Sequence, residues 1–417
     1  MNWREIQLGD GIRVKHGFAF KGEFFAATGE RMVLTPGNFL EKGGFRVRDG
    51  KERFYLADFP EEYLLSEGDL IVAMTEQGEG LLGSAARIPS DEKYLHNQRL
   101  GLVEVIKPDL LNKRFLYWVF NSANVRAQIR ATATGTKVRH TAPERIKKVR
   151  LMAPTIQNQR AIAWTLDAYD DLIATNQRRI ALLEDTARRL YREWFVHLRF
   201  PGHASVPVQD GVPQGWHKTP ITEQTSFFNR GIAPKYDETA KGLVINQKCI
   251  RGGRISLAPA RRQSKDVKPD RLLIKGDVLI NSTGTGTLGR VAQVRTPIQH
   301  CTVDTHVTIA RPSDEYSSTY FGQALLNLEP IFSEMGKGAT NQLELSRSDI
   351  GAVEIWQPPQ QLHIDFHRLV GPMLEQAEQL GIANLSLERA RDLLLPKLMS
   401  GQIDVSGIAL PEEEAAA

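Results

Sequence analysis

GDLIVAMTEQGEGLLG (residues 68–83) returns further along the chain as GDVLINSTGTGTLG (276–289). Two more stretches return with it. TGTKVRHTAPERI (134–146) is echoed by KGATNQLELSRSDI (337–350), and MAPTIQNQRAIAWTL (152–166) by WQPPQQLHIDFHRLV (356–370). The offset holds steady: Gly276 minus Gly68 is 208, and Ile350 minus Ile146 is 204. A period near 205 residues is far longer than any solenoid unit. The chain therefore reads as two similar domains in tandem, each ending in its own long helix.

Composition agrees. At 417 residues the chain is long enough for two or three domains. Its 41% hydrophobic and 24% charged residues are those of a soluble globular protein. No apolar run approaches the length of a membrane span. The opening MNWREIQLGD lacks the apolar core of a secretory signal. With only Cys249 and Cys301, both in the second half, the expectation is reduced thiols and a cytoplasmic location. A net charge of +4 permits nucleic-acid binding without requiring it, so local clusters must decide.

The repeat sets the expected organisation, an α+β fold. Residues 1–150 form a first mixed α/β domain, with short β runs at 69–73 and 102–106 and one helix over 113–130. Residues 151–200 carry the first long helix, 201–215 a Pro- and Gly-rich connector, and 216–355 the second α/β domain, with a matching helix near 319–334. Residues 356–405 carry the second long helix. Residues 406–417, ending in PEEEAAA, read as a disordered acidic tail.

The long helices carry the clearest period. In the first, seam positions fall at Ile162, Leu166, Tyr169, Ile173, Asn176, Ile180, Leu183, Ala187, Leu190 and Trp194. In the second they fall at Phe366, Val370, Met373, Ala377, Leu380, Asn384, Leu387, Arg391, Leu394 and Leu398. Steps of 4 and 3 alternate throughout, the signature of a coiled coil. The competing reading is two amphipathic helices that each pack on their own domain. Antiparallel pairing with residue numbers summing to 560 puts Ile162 opposite Leu398, Leu166 opposite Leu394, Leu183 opposite Ala377 and Ala187 opposite Met373. It also puts Asn176 opposite Asn384. An Asn facing only Leu or Ile would leave buried polar groups unsatisfied, at about 1–3 kcal/mol each. The helices are therefore expected to pair with each other and to hold the two domains apart.

Several motifs point towards enzyme chemistry and fail. GEGLLG (78–83) and GTGTLG (284–289) both fit G-x-G-x-x-G. A dinucleotide fold would start a helix there, whereas SAARIPS and RVAQVRT continue as β. The better reading is a Gly-rich hairpin loop, one use of which is close approach to a phosphate. No G-x-x-x-x-G-K-[ST] loop exists. QPPQ (357–360) lacks both the acid or amide and the aromatic of an amino-methyltransferase motif. His363 and His367 stand at i and i+4 without the Glu of H-E-x-x-H, and read as a polar helix face. Thr302, Asp304 and His306 have no partnered nucleophile, although Asp304 and His306 share a strand face and could share a hydrogen bond.

Basic and amide-rich loops point to nucleic acid instead. They hold Arg46 and Arg48, then Lys137, Arg139 and His140, in the first domain. In the second they hold Arg251 and Arg254, then Arg261, Arg262 and Lys265, then Lys337, Asn341 and Gln342. Point charges mixed with amides and glycine serve phosphate anchoring and base-edge readout. Recurrence in both copies argues against mere solvated surface.

The helix lead-ins MAPTIQNQRAIAWTLDAYDDLIATNQRRI (152–180) and PPQQLHIDFHRLV (358–370) carry a family resemblance. So do the helix ends ARRLYREWFVHLRFPGH (187–203) and RARDLLLPKLMSGQIDV (389–405), with VPQGW (212–216) entering the second domain. Over essentially its whole length the chain resembles the DNA specificity subunits of type I restriction–modification systems. The second lead-in departs from the usual acidic or amide pattern at Ile364 and Phe366. The resemblance implies two target-recognition domains separated by two antiparallel helices, each domain reading half of a bipartite, asymmetric site in double-stranded DNA. It implies no catalysis and no cofactor in this chain. S-adenosylmethionine would belong to two partner modification subunits, and ATP and Mg²⁺ to partner nuclease/translocase subunits. It makes Tyr191, Trp194 and Phe195 candidate partner anchors. The alternatives are a stand-alone DNA-binding or architectural protein, separated by asking whether it is soluble and specific alone, and an enzyme with an unrecognised nuclease or methyltransferase centre.

Overall fold

The quoted repeat is a β-hairpin in both copies, placed identically in two equivalent sheets. The computed structural model describes residues 3–48, 50–78, 80–91, 93–336 and 343–411. The chain divides into two units, Met1–Ile173 with Leu385–Ala417, and Ala174–Asn384, so both long helices contribute to both units.

In the first unit four strands lie in the order Ile12–His16, Leu100–Val105, Leu70–Ala73, Ala85–Arg87, every neighbour antiparallel. In the second the order is Thr225–Arg230, Val307–Pro312, Val278–Asn281, Val291–Gln293, again antiparallel. Leu70–Ala73 and Val278–Asn281 are buried at every residue, which is why they read as continuous rather than alternating runs. A smaller sheet adjoins each. In one, Met32–Val33 runs parallel to Tyr94–Leu95; in the other, Gly242–Ile245 runs parallel to Cys301–Val303. The chain passes from the small sheet back to the large one through a tight crossing. A Cβ on Gly17 would lie 2.1 Å from the Asn97 carbonyl oxygen, and one on Gly231 would lie 1.9 Å from that of Val303. Only glycine fits at either point. Each unit closes when its first strand meets the strand that feeds a long helix: Arg4–Gln7 with Arg150–Ala153, and His217–Pro220 with Glu354–Gln357.

The single helix expected over 113–130 is two, Lys113–Asn121 and Ala123–Ala131. Ser122 breaks it in an extended conformation, its hydroxyl donating to the Val119 carbonyl at 2.7 Å. The counterpart is likewise Ser318–Asn327 followed by Glu329–Glu334, which restarts with Pro330 in its first turn. The acidic tail is ordered further than expected. Ile408 and Leu410 pack on the first unit's core, since they are the apolar residues of that segment; 412–417 lie outside the described residues.

The long helices span Ile156–Tyr191 and Gln360–Met399. A π-type turn, Arg192–Val196, ends the first, and Leu198 at φ 59° turns the chain away. Every seam position named above is buried or half-buried. In the second unit Asn176 Nδ2 donates to Asn384 Oδ1 at 2.9 Å, and the rings of Trp194 and Phe366 lie 5.6 Å apart. In the first unit Ile162, Leu166, Leu394 and Leu398 share one core cluster, and Arg391 pairs with Asp170. These contacts fit antiparallel pairing in the 560 register.

Candidate nucleic-acid interface

The first unit presents a cleft of about 1070 Å³ between its two sheets. Arg46, Arg48, Arg53 and Arg99 line it, with Glu41 the only acid among the described lining residues. A short turn after Thr35 sets its floor: Asn38 Oδ1 accepts from Thr35 N at 2.9 Å, and Asn38 Nδ2 donates to the Arg46 carbonyl at 3.2 Å. Arg46 Nε donates to the Gly37 carbonyl at 3.0 Å, and Arg48 lies across the bare Cα of Gly37. Arg53 sits 5.8 Å over the Phe25 ring. The turn Asn97–Gln98–Arg99 forms the opposite rim, where Asn97 Oδ1 accepts from Arg99 N at 3.0 Å. Just beneath it His96 is fully buried and its Nε2–H donates to the Leu100 carbonyl at 2.9 Å; burial pushes its pKa down to about 4, so it is a neutral strut. His140 completes the cleft, its Nδ1 3.2 Å from Thr75 Oγ1. Guanidinium forks, amides and an imidazole around an open cleft suit phosphates and base edges.

The second unit repeats the frame with different side chains. Asp304 stands where Asn97 does, and its Oδ1 accepts from His306 N at 2.9 Å. Burial raises the Asp304 pKa, against the lowering effect of that N–H. Asp304 and His306, whose side chains could have shared a hydrogen bond on a common strand face, meet instead through the His306 N–H, because the two residues form a turn rather than a strand. His306 Nδ1 instead meets Thr283 Oγ1 at 2.7 Å. Arg261 lies 3.6 Å over the Tyr236 ring, as Arg53 lies over Phe25.

Of the residues expected at DNA, the cleft brings together Arg46, Arg48 and His140. Arg139 neighbours His140 on the strand paired with Thr75–Glu76, and Lys137 is exposed on the preceding loop. Arg262 donates to the Ala240 carbonyl at 2.8 Å and Lys265 to that of Ala233 at 3.1 Å, both leaving exposed side chains. Arg251 is exposed on a hairpin. Its neighbour Arg254 is not a free cation: it binds Glu184 on the first long helix at 3.0 Å, because the hairpin folds against that helix. Lys337, Asn341 and Gln342 lie outside the described residues. Arg53, Arg99, Asn97 and Tyr236 were missed. Aligning NQRLG (97–101) with DTHVT (304–308) would have exposed the shared turn.

Two further expectations are corrected. In the Gly-rich loops several amides are already bonded within the chain. Glu76 Oε2 accepts from Gly80, Leu81 and Leu82 N–H at 3.2, 3.0 and 2.8 Å, and the Gly284 carbonyl accepts from Thr287 and Leu288 N–H at 3.1 and 3.0 Å. Tyr191, Trp194 and Phe195 are not surface anchors. All three are buried, with Phe195 4.7 Å from the Tyr320 ring and 5.1 Å from that of Phe366, because the second unit docks on this end of the helix. His363, read as helix surface, is buried too, stacked on Tyr320 with its pKa lowered by burial. Among the described residues no cluster of His, Cys, Asp and Glu could hold a metal.

Comparison with known proteins agrees with this geometry. Residues 1–185 match the family described as the type I restriction modification DNA specificity domain. The chain is 24% identical over 315 residues to the type I restriction enzyme MjaIX specificity subunit of Methanocaldococcus jannaschii, across 73% of this chain and 72% of that protein. It is 25% identical over 337 residues to the EcoBI specificity subunit of Escherichia coli, across 76% of this chain and 66% of that one. Its fold is similar to the crystal structure of the type I restriction–modification S subunit from M. genitalium, with a TM-score of 0.60 at 17% identity, covering 95% of this chain and 96% of that one. A duplicated sheet frame, paired long helices and these sequence relationships converge: residues 1–185 carry a match to the type I restriction modification DNA specificity domain, and over about three quarters of its length the chain is similar to type I specificity subunits.

Proposed function

We propose that this non-catalytic subunit reads a bipartite, asymmetric site in double-stranded DNA, each unit taking one half. The observation that carries this is the duplicated frame with unlike side chains. Asn97 and Arg99 in one unit stand where Asp304 and His306 stand in the other, so two equivalent surfaces face DNA with different chemistry. Arg46, Arg48, Arg53 and Arg99 take the first half-site; Arg261 and Tyr236 belong to the second. Lys337, Asn341 and Gln342 remain proposed contacts of the second unit.

Chemistry would come from partners: two modification subunits with S-adenosylmethionine, and restriction subunits with ATP and Mg²⁺. Leu172, Leu182, Leu385 and Leu393 are exposed at 46%, 67%, 56% and 68% on the long helices, off the seam. Such apolar side chains are suited to docking a modification subunit, a role the buried Trp194 and Phe195 cannot fill. No helix among the described residues is long and apolar enough to cross a membrane. We place the complex in the cytoplasm, where chromosomal DNA is available.

The test is footprinting of the full chain with its modification subunits on a duplex selected from a random pool. Two protected stretches separated by a gap are expected, and Arg99→Ala should change preference in one of them only. A continuous footprint, or half-sites that change together, would overturn the reading. Selection of the same site by the chain alone, with no effect of the partners, would favour the stand-alone DNA-binding protein.

A further inference from the structure

The two units arrive at the same small device by different routes. In each, a threonine just beyond the central strand, Thr75 or Thr283, is hydrogen-bonded to the Nδ1 of an exposed histidine, at 3.2 and 2.7 Å. Thr75 and Thr283 are repeat counterparts, but the histidines are not. His140 comes from the strand after the helices, whereas His306 comes from the crossing turn, where its counterpart is Arg99. The strand equivalent to Arg139–His140 offers Glu344 opposite Thr283 instead. Sequence alignment therefore cannot pair the two histidines; only the fold does.

In the second unit the hydrogen-bond network also fixes what the ring presents. Thr283 has one hydroxyl proton, and Gln247 Oε1 accepts it at 3.3 Å. The 2.7 Å contact then runs from His306 Nδ1–H to the hydroxyl oxygen. In the neutral ring this leaves Nε2 unprotonated, an acceptor on the far side of the imidazole from Thr283. The backbone beneath is pinned as well, since Asp304 Oδ1 holds His306 N and Ser282 N donates to the His306 carbonyl at 2.8 Å. A rigid ring with a single directed acceptor is poorly matched to phosphate, which is itself only an acceptor. It is well matched to an exocyclic amino group: N6 of adenine or N4 of cytosine, the donors that the major groove displays.

Resting on the proposed DNA-reading role, we propose that His306 is a specificity-determining residue of the second half-site, accepting a hydrogen bond from an adenine or cytosine amino group. Thr283 is its positioning residue, holding the tautomer that makes Nε2 an acceptor. His140 with Thr75 occupies the corresponding place in the first half-site.

The experiment uses the full chain with its modification subunits and a duplex selected by the wild-type protein. The exocyclic amino group is deleted from each adenine and cytosine of the second half-site in turn. For wild type, one deletion should weaken binding roughly fivefold to tenfold, the scale of one directed base contact. His306→Phe should bind the unmodified site about that much more weakly and be indifferent to the same deletion. Thr283→Val should lose most of the discrimination at that position, and Thr283→Ser, which keeps the hydroxyl, should restore it. Preferences in the first half-site should not move. If no amino group is coupled to His306, the inference fails while the DNA-reading role stands. The same holds if His306→Phe weakens every sequence equally and lowers the salt dependence, which marks a phosphate contact. If wild type selects no sequence at all, the DNA-reading role fails too.

Discussion

Asp167 should be the most sensitive single position in the first unit. It is 2% exposed on the first long helix and accepts three hydrogen bonds. Arg87 Nη2 and Trp118 Nε1 donate to its Oδ1 at 2.9 and 2.8 Å, and Arg114 Nε donates to Oδ2 at 2.7 Å. These donors come from a strand and a helix of the sheet domain, so Asp167 fastens that domain to the long helix. Asp167→Asn keeps the volume but turns one acceptor into a donor facing a guanidinium. Breaking a buried ion pair from one side costs about 3–5 kcal/mol. The arginine side chains are 32% and 36% exposed, so water compensates part of the loss and the low end, about 3 kcal/mol, is expected. For a unit of this size that lowers its melting temperature by roughly 6–12 °C. Unfolding of the full chain in urea, followed by tryptophan fluorescence, would show it, since Trp118 lies inside the network. The second unit provides the internal control, because Gln293, Thr319 and Gly371 occupy the corresponding places and its transition should not move. A loss below about 1 kcal/mol, or an equal fall in both units, would refute the anchoring role.

Acidification should weaken the same unit. His96 takes up its proton near pH 4 when folded rather than near 6.5, so the unfolded chain binds that proton first; stability falls as pH drops from about 6.5 to about 4, by at most ~3 kcal/mol, and His96→Asn should flatten urea midpoints measured across that range. Truncation after Ser406 should cost about 1–2 kcal/mol, because Ile408 and Leu410 pack on the core, whereas removing 412–417 should leave the denaturation midpoint unchanged. Phe195→Ala should destabilise the second unit by about 3–5 kcal/mol before any partner is added, as thermal melting of the subunit alone would reveal.

The helices and the duplication were legible because their signals are periodic and local. A seam at steps of 4 and 3 survives any detail of packing, and the buried Asn176–Asn384 contact follows from the register alone. Helix breaks at Ser122 and Leu328 were hidden, since the flanking apolar residues continue the pattern on both sides. The basic loops separate in the structure for a plain reason. Composition marks where cations cluster but not which way they turn. Arg46 and Arg48 line the cleft, whereas Arg254 turns towards Glu184 on a helix 70 positions earlier. Arg99 sits singly among other residue types, and Arg53 lies just past the Arg46–Arg48 pair, so neither was counted with a cluster. Their place is set by sheet topology, which joins residues far apart in sequence.

Polar contacts of the long helices also explain why two similar halves form one chain rather than a dimer of one half. In the second unit Asn176 meets Asn384; in the first, Asp170 meets Arg391 and Lys42 meets Asp392. The seam repeats with an offset of 366 − 162 = 204, which assigns first-helix counterparts to the three second-helix partners: Ile180 for Asn384, Ala187 for Arg391 and Arg188 for Asp392. Pairing the first helix with a second copy of itself would keep the apolar seam intact. It would also face Asn176 with Ile180, strip Asp170 of its guanidinium, and bring Lys42 against Arg188. Each mismatch leaves a buried amide or a charge without a partner of opposite sign, so all three penalise the wrong pairing while the leucines are indifferent to it. The apolar positions make the helices pair, and the polar ones decide with which helix.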